Sequence, residues 1–247
     1  MTKKLLVIPD AHFPYHSKRA WNLMCEAASY FKPDILINLG DCYDFNSVST
    51  HRKSPKEAKN RILLEKELEQ SANARLDMER LCPKGRRIFI EGNHCYRLDR
   101  YIADNAPVLA GLVETKKLLG YDNSWEWVPY MRHIRVGKVF YTHDVGHAGA
   151  NAVRQSQHAF ESNAVIGHVH RMDYTIKGNA AGKPHVGASF GWLGDPKQCG
   201  YMFQVKLNRE WCHGFGLGYM EADGVTDLVP VPIVDNRCRV EGKLFRA

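Results

Sequence analysis

Apolar residues in this chain fall into two kinds of pattern, short unbroken runs and helical stripes, and the two alternate through its earlier part. Lys4–Pro9 is an apolar run closed by Asp10, as expected of a central buried strand that feeds a loop. Ser17 can cap a helix whose inner face carries Ala20, Trp21, Met24, Ala27, Ala28 and Phe31, and Pro33-Asp34 ends it. Ile35–Leu39 reads as the next strand. Ser54-Pro55-Lys56-Glu57 has the form of a capping box, and predicts a charged helix to about Leu81 with Ile62, Leu64, Leu68, Ala72 and Leu76 inward. Arg87–Glu91 is a third strand, and a helical stretch from about Tyr96 to Lys117 is interrupted near Pro107. Trp125–Tyr130, His133–Val136 and Lys138–Thr142 read as strands, followed by a helix from about Ala150 to Phe160 and a strand at Ala164–Ile166.

From Arg171 onward the pattern is mostly β, with glycine and proline between the runs. Two sheets packed face to face with helices outside would accommodate both halves in one domain spanning 1–247. In that arrangement 1–170 supplies the alternating part and 171–247 completes the second sheet. No repeat, low-complexity tract or flexible linker interrupts the chain.

The polar residues at the ends of these strands change the picture. Asp10-Ala11-His12, Gly40-Asp41-Cys42-Tyr43-Asp44, Gly92-Asn93-His94, Thr142-His143 and Gly167-His168-Val169-His170 each follow a predicted strand. Carboxylate, imidazole and amide oxygen suit zinc, manganese and iron, and strand ends are where a sheet aims side chains into a site. In D-x-H and H-x-H, alternate residues of an extended segment would face one side and share one ion. Each motif alone is common; all of them together supply enough oxygen and nitrogen donors for two ions.

Composition narrows the partners. The 247 residues carry a formal charge of +7 and a pI near 9.0, so the surface attracts polyanions such as nucleotides and nucleic acid, with solubility as the plainer explanation. The 7 cysteines are scattered without a C-x-x-C pair, which argues against a disulfide framework or zinc ribbon and for a reducing compartment. No run reaches the length of a membrane span, and the apolar start is too short for a signal peptide before Asp10 and His12 intervene. The expected location is the cytoplasm.

The motif series, from Lys4 to His170, resembles the calcineurin-like metallophosphoesterases. The finer text resembles a branch common in bacteriophage genomes, in Asp10-Ala11-His12-Phe13-Pro14-Tyr15-His16, the Glu91–Tyr101 segment with Ala106-Pro107, and Trp211-Cys212-His213-Gly214-Phe215. The resemblance implies an α/β fold, a four-layer α/β/β/α sandwich of the metallo-dependent phosphatase type with mixed sheets. It implies that Asp10, His12 and His170 hold one divalent ion, that Asn93, His143 and His168 hold another, and that Asp41 bridges them. His94 would be the general acid, oriented by Asp44. Manganese is the first expectation for the ions, with iron and zinc also suited.

Some positions depart from the family pattern. Cys95 stands where an acidic residue is usual, and Phe45 where protein phosphatases carry a phosphate-gripping arginine. Asp144 replaces a glycine after His143, which leaves His147 as a rival ligand. Arg97 and His16 are candidate substrate contacts, with Arg100 beside Arg97; solvated surface charge is the plainer reading of each. The basic stretch His51, Arg52, Lys53, Lys56, Lys59 and Arg61 is a candidate nucleic-acid contact. The tryptophans read as packing residues. The leading expectation is a two-metal phosphodiesterase or nuclease acting on nucleic acid or nucleotides. Behind it stand a phosphomonoesterase on a small metabolite or nucleotide, and a non-catalytic interaction protein on the same fold.

Overall fold

The computed structural model describes residues 1–50, 62–178, 180–199 and 210–247. The capping box at 54–57 and the basic stretch from His51 to Arg61 lie outside the described residues. Strands β1 (Lys3–Ile8), β2 (Ile35–Asn38), β3 (Arg86–Ile90) and β4 (Trp125–Val128) form the parallel part of a six-stranded sheet. A second sheet has five strands: β5 (His133–Val136), β6 (Val139–Thr142), β7 (Asn163–Ile166), β9 (Pro184–Phe190) and β8 (Met172–Gly178) in that spatial order. Its β6, β7 and β9 are parallel, with β5 and β8 antiparallel at the edges.

Alternation along β1 and β2 explains the layering. Leu5, Val7, Ile35, Ile37, Ile88 and Ile90 point to one face and pack on Val136, Val139, Tyr141, Val165, Ala188 and Phe190 of the second sheet. Leu6, Ile8, Leu36 and Phe89 point the other way, onto Trp21, Met24, Ala27 and Phe31 of α1 (Lys18–Phe31) and Met78 of α2 (Leu64–Leu81). Strands covered on both faces need apolar side chains at every position, hence the unbroken runs. Each aliphatic chain so buried contributes roughly 1.5–3 kcal/mol. Ahead of β4 lie α3 (Arg97–Asn105) and α4 (Thr115–Leu118), and α5 (Ala152–Phe160) covers the outer face of the second sheet, its Ala152 and Val153 packed with Ile166 of β7 and Val169 beyond it. The result is helix, sheet, sheet, helix: the four-layer sandwich.

Two expectations need correction. The segment 171–247 does not simply complete the second sheet. β8 and β9 do, but β10 (Gly214–Met220) and β11 (Thr226–Pro232) join the first sheet, where β10 runs antiparallel to β1. β12 (Arg237–Val240) and β13 (Lys243–Arg246) make a separate two-stranded sheet. The inner stripe of α2 is Glu67, Ser71, Ala74, Met78 and Leu81, with Leu64 and Leu68 half-buried and Leu76 exposed. Buried polar residues at Glu67 and Ser71 moved the apparent apolar stripe around the helix. The helical stretch after Tyr96 is interrupted at Pro107 as expected: α3 is followed by a 3-10 turn at Pro107–Leu109 and then α4, because proline cannot continue a helix.

Candidate metal centre

Parallel strands of both sheets end at the same edge, and their loops carry the polar residues there. After β1, the backbone N–H groups of Ala11 and His12 donate to the Asp41 carbonyl at 3.1 and 2.9 Å, tying the first loop to the second. Gly40 has φ +99°, and a Cβ there would lie 2.6 Å from His143 Nδ1 and 2.9 Å from Gly92 N. Only glycine permits that approach. A side chain at Gly92 would collide with the Asp41 carboxylate. The alternation argument for D-x-H and H-x-H does not describe these loops: His12, His168 and His170 have φ of 57°, 67° and 55°. The chain turns through the left-handed region, and convergence comes from turning. Asp41 (φ 44°) and Phe45 (φ 48°) share that conformation, which is costly for residues other than glycine and tends to persist at functional sites.

The loops bring all of Asp10, His12, Asp41, Asn93, His143, His168 and His170 together. Ligand atoms of Asp10, His12 and His170 lie within 4.8 Å of one another, as do those of Asp41, His143 and His168. His143 donates Nδ1–H to the Leu39 carbonyl at 2.9 Å, which turns Nε2 toward Asn93 Oδ1 at 3.0 Å and Asp41 Oδ2 at 3.2 Å. His12 is held the same way, Nδ1 to Asp44 Oδ2 at 3.1 Å, leaving Nε2 at 3.0 Å from His170 Nε2. His170 Nε2 lies 3.1 Å from Asp10 Oδ2. With both outer nitrogens committed as donors, His143 Nε2 is turned to amide and carboxylate oxygens and His12 Nε2 to the ring nitrogen of His170. Acceptors crowding onto acceptors in a buried place fit a divalent cation, and partners on the far ring nitrogen are the usual support of a histidine ligand.

The electrostatics agree. Burial opposes ionisation of Asp41, yet the surrounding His143, His94 and His12 hold its carboxyl well below the usual range. Asp44 is likewise held down against burial by His94, His12 and Arg97. Burial would lower His143, but Asp41 and Asp10 raise it to about 10. His170 is pushed down to about 4 by burial, against the pull of Asp10.

His94 lies beside the second cluster, with Nε2 3.9 Å from Asp41 Oδ2 and Nδ1 3.0 Å from Asp44 Oδ2. Asp44 therefore orients both His12 and His94. Arg97 donates Nη1 to Asp44 Oδ1 and to the Asp44 carbonyl, both at 2.8 Å, and its Nη2 lies 3.2 Å from His94 Nε2. Its guanidinium is thus largely committed to holding Asp44, although Arg97 still lines the cavity over the site. That cavity, about 290 Å³, is formed by Asp41, His94, Arg97, His168, His170, Arg171 and neighbours. His16 is absent from it. Its ring stacks on Phe13 at 3.7 Å and lines another cavity with Lys18, Trp21 and Asp77, so the structure does not bring His16 to the site. His147 is exposed, while His143 is buried against Asn93 and Asp41.

Sequence reasoning missed residues that complete the site. Trp192 stacks on His170 at 5.0 Å, and Trp211 meets the same ring edge-on at 4.1 Å. Trp192 follows Gly191 at the end of β9, the same strand-end-then-glycine grammar as the metal motifs, and Leu193 N–H donates to the Asp10 carbonyl at 2.7 Å. Arg171, next to His170, lines the cavity while Glu210 and the Ala148 carbonyl hold it. Cys42 and Cys95 are near but buried, which pushes both thiols up and keeps them protonated.

No family model matches the chain. It is similar to the gene 54 protein of Mycobacterium phage L5, 26% identical with 99% of each chain covered, and to that of phage D29, 27% identical with the same coverage. Among solved structures, it aligns with vacuolar protein sorting 29 from Cryptosporidium parvum at TM-score 0.48 and 14% identity, over 98% of this chain and 94% of that one. It aligns with Yfce, a phosphoesterase from E. coli, at TM-score 0.41 and 16% identity, over 92% and 98%. The Haemophilus influenzae NAD nucleotidase aligns at TM-score 0.43 and 12% identity, over 93% of this chain and 55% of that one. The two phage proteins match end to end. Among the described residues, no helix is long and apolar enough to cross a membrane.

Proposed function

We propose that this chain is a calcineurin-like metallophosphoesterase that hydrolyses phosphodiesters of nucleic acid or nucleotides with two divalent ions. One observation carries the reading: two clusters of lone-pair donors, Asp10–His12–His170 and Asp41–His143–His168, lie with a histidine that opens onto a cavity lined by arginines. Asp10, His12 and His170 would hold one ion and Asn93, His143 and His168 the other, with Asp41 shared. Bound there, such ions supply Lewis-acid neutralisation of phosphoryl oxygens and a nucleophile from water near neutral pH.

The chain's own residues do the remaining work. Asp44 accepts the His94 Nδ1–H, and Nε2, 3.2 Å from Arg97 Nη2, is the atom that in the imidazolium form gives a proton to the departing alkoxide. Burial lowers the His94 pKa, which makes its cation the stronger acid, and an arriving phosphate anion favours that cation. Arg97 keeps Asp44 in place, and Arg171 adds positive charge to the wall that an anionic ester approaches. Phe45, where protein phosphatases have an arginine, is fully buried and offers phosphate nothing. That absence favours diesters over phosphoproteins. Manganese suits the mixed oxygen and nitrogen donors without thiolate.

The test is a manganese-dependent panel of single-stranded DNA, RNA, a cyclic nucleotide, a bis-aryl phosphate and an aryl monoester, with Asp41→Asn as control. Metal-dependent cleavage of diesters ahead of the monoester is expected. Purified protein that takes up no transition metal would end the proposal, and preference for the monoester would redirect it to a phosphomonoesterase.

A further inference from the structure

The loop that follows Asp44 is gripped by a carboxylate from outside the cluster. Glu67 sits in the first turn of α2, fully buried. Its Oε1 accepts the Asn46 N–H at 2.9 Å, and its Oε2 accepts the Ser47 N–H at 3.1 Å together with the Ser47 hydroxyl. Among the described residues, no ion pair is formed by Glu67. A buried carboxylate without a cation is expensive, and on this helix face an apolar residue would serve packing better.

What Glu67 holds is the short 3-10 turn Asn46–Val48, which begins after Phe45 in its left-handed conformation. On the other side of the same loop, Arg97 of α3 grips the Asp44 carboxylate and carbonyl, and the Asp44 N–H donates to the Phe13 carbonyl at 2.9 Å. Asp44 Oδ2 in turn meets His12 Nδ1 at 3.1 Å and His94 Nδ1 at 3.0 Å. The loop is clamped between two helices, and its single carboxylate sets two imidazoles. We propose that Glu67 is a positioning residue: by fixing Asn46 and Ser47 it sets Asp44, and through Asp44 the His94 ring, a role that rests on the phosphoesterase reading above. A displacement of about 1 Å at such a relay can cost on the order of 10²-fold in rate.

Glu67→Gln keeps the side-chain volume and removes one accepting oxygen. On manganese-loaded protein, it is compared with wild type on two diesters, one with an aryl leaving group and one with an alkyl leaving group that needs a proton. The expected result is a fall of roughly 10- to 100-fold on the alkyl ester, within about twofold on the aryl ester, with unchanged metal content. Equal losses on both esters, or none, would overturn the proposal. If Glu67→Gln does not fold, Ser47→Ala carries the same comparison. It removes one bond, and a selective loss of about 2- to 10-fold is expected.

A second readout needs no turnover. In metal-free protein, imidazole nitrogen–proton spectra should show the His94 Nδ1–H in wild type and lose it in Glu67→Gln, while the His143 Nδ1–H persists. An unchanged His94 signal would also overturn the proposal. Wild type inactive on both esters would sink the phosphoesterase reading alone, since the spectra still decide the role of Glu67.

Discussion

The two ligand clusters are built from the same residue types yet differ in exposure and charge. Asp10, His12 and His170 are all buried, and Trp192 stacks on the His170 ring. In the other cluster Asp41 and His143 are buried, whereas Asn93 and His168 are half-buried, with His94 beside them on the cavity. Among the buried ligand histidines, His12 is raised as well, while His170 and His143 shift in opposite directions: His170 falls to about 4 and His143 rises to about 10. Both lose solvent. His143 regains more than that loss from Asp41 and Asp10, while His170 faces His12 as well as Asp10. Burial thus closes off the first cluster except at His170, which lines the cavity, while the second shares that cavity with His94.

The comparison can be broken at its shared member first. Asp41→Asn weakens both clusters together, so metal uptake should fall at both and turnover should drop beyond the roughly 10²–10⁴-fold typical of a lost general acid. Elemental analysis beside the activity panel checks this, and retention of two tightly held ions would show that Asp41 is not shared. Next in size, His94→Ala should keep both ions and lose about 10²–10⁴-fold on esters with poor leaving groups. An unchanged rate would remove His94 from the mechanism.

Smaller effects sharpen the contrast. His143→Ala should cost one ion while His147→Ala costs none, measured as metal bound per chain; the reverse pattern would exchange their roles. The smallest effect is on stability against pH in metal-free protein. The folded-state pKa of His143 lies above the ordinary 6.5, so its contribution is fully present below 6.5 and is lost as pH rises toward about 10. At about 1.4 kcal/mol per pKa unit, this amounts to a few kcal/mol. Denaturant unfolding across that window should show the decline, and His143→Gln should flatten it. A slope unchanged in the variant would assign the titration elsewhere.

Much of the fold was legible because its signals are local. Leu5–Ile8 and Ile35–Ile37 are apolar at every position, which only a strand covered on both faces demands. The candidate site was legible as a list, since each polar motif directly follows such a run. Its mechanism of convergence was not. Extended alternation was the natural reading of D-x-H and H-x-H, yet left-handed turns at His12, His168 and His170 do the aiming. The inner stripe of α2 was misplaced for a related reason: Glu67 looks like a surface residue until the loop it binds is known. His16 looked close to the site because it is close in sequence, but the chain turns it onto Phe13.

By itself, then, the chain's order of residues determined the buried strands, the placement of ligand types after them, and the inner face of α1, because each depends on neighbours within a few positions. Tertiary structure alone decided that β10 and β11 join the first sheet, that His143 rather than His147 meets Asn93, and that Trp192, Arg97 and Glu67 support the site. Those outcomes depend on partners far apart along the chain. Sheet pairing, close approach at Gly40 and Gly92, and the desolvation of charged groups arise only when the layers close on one another.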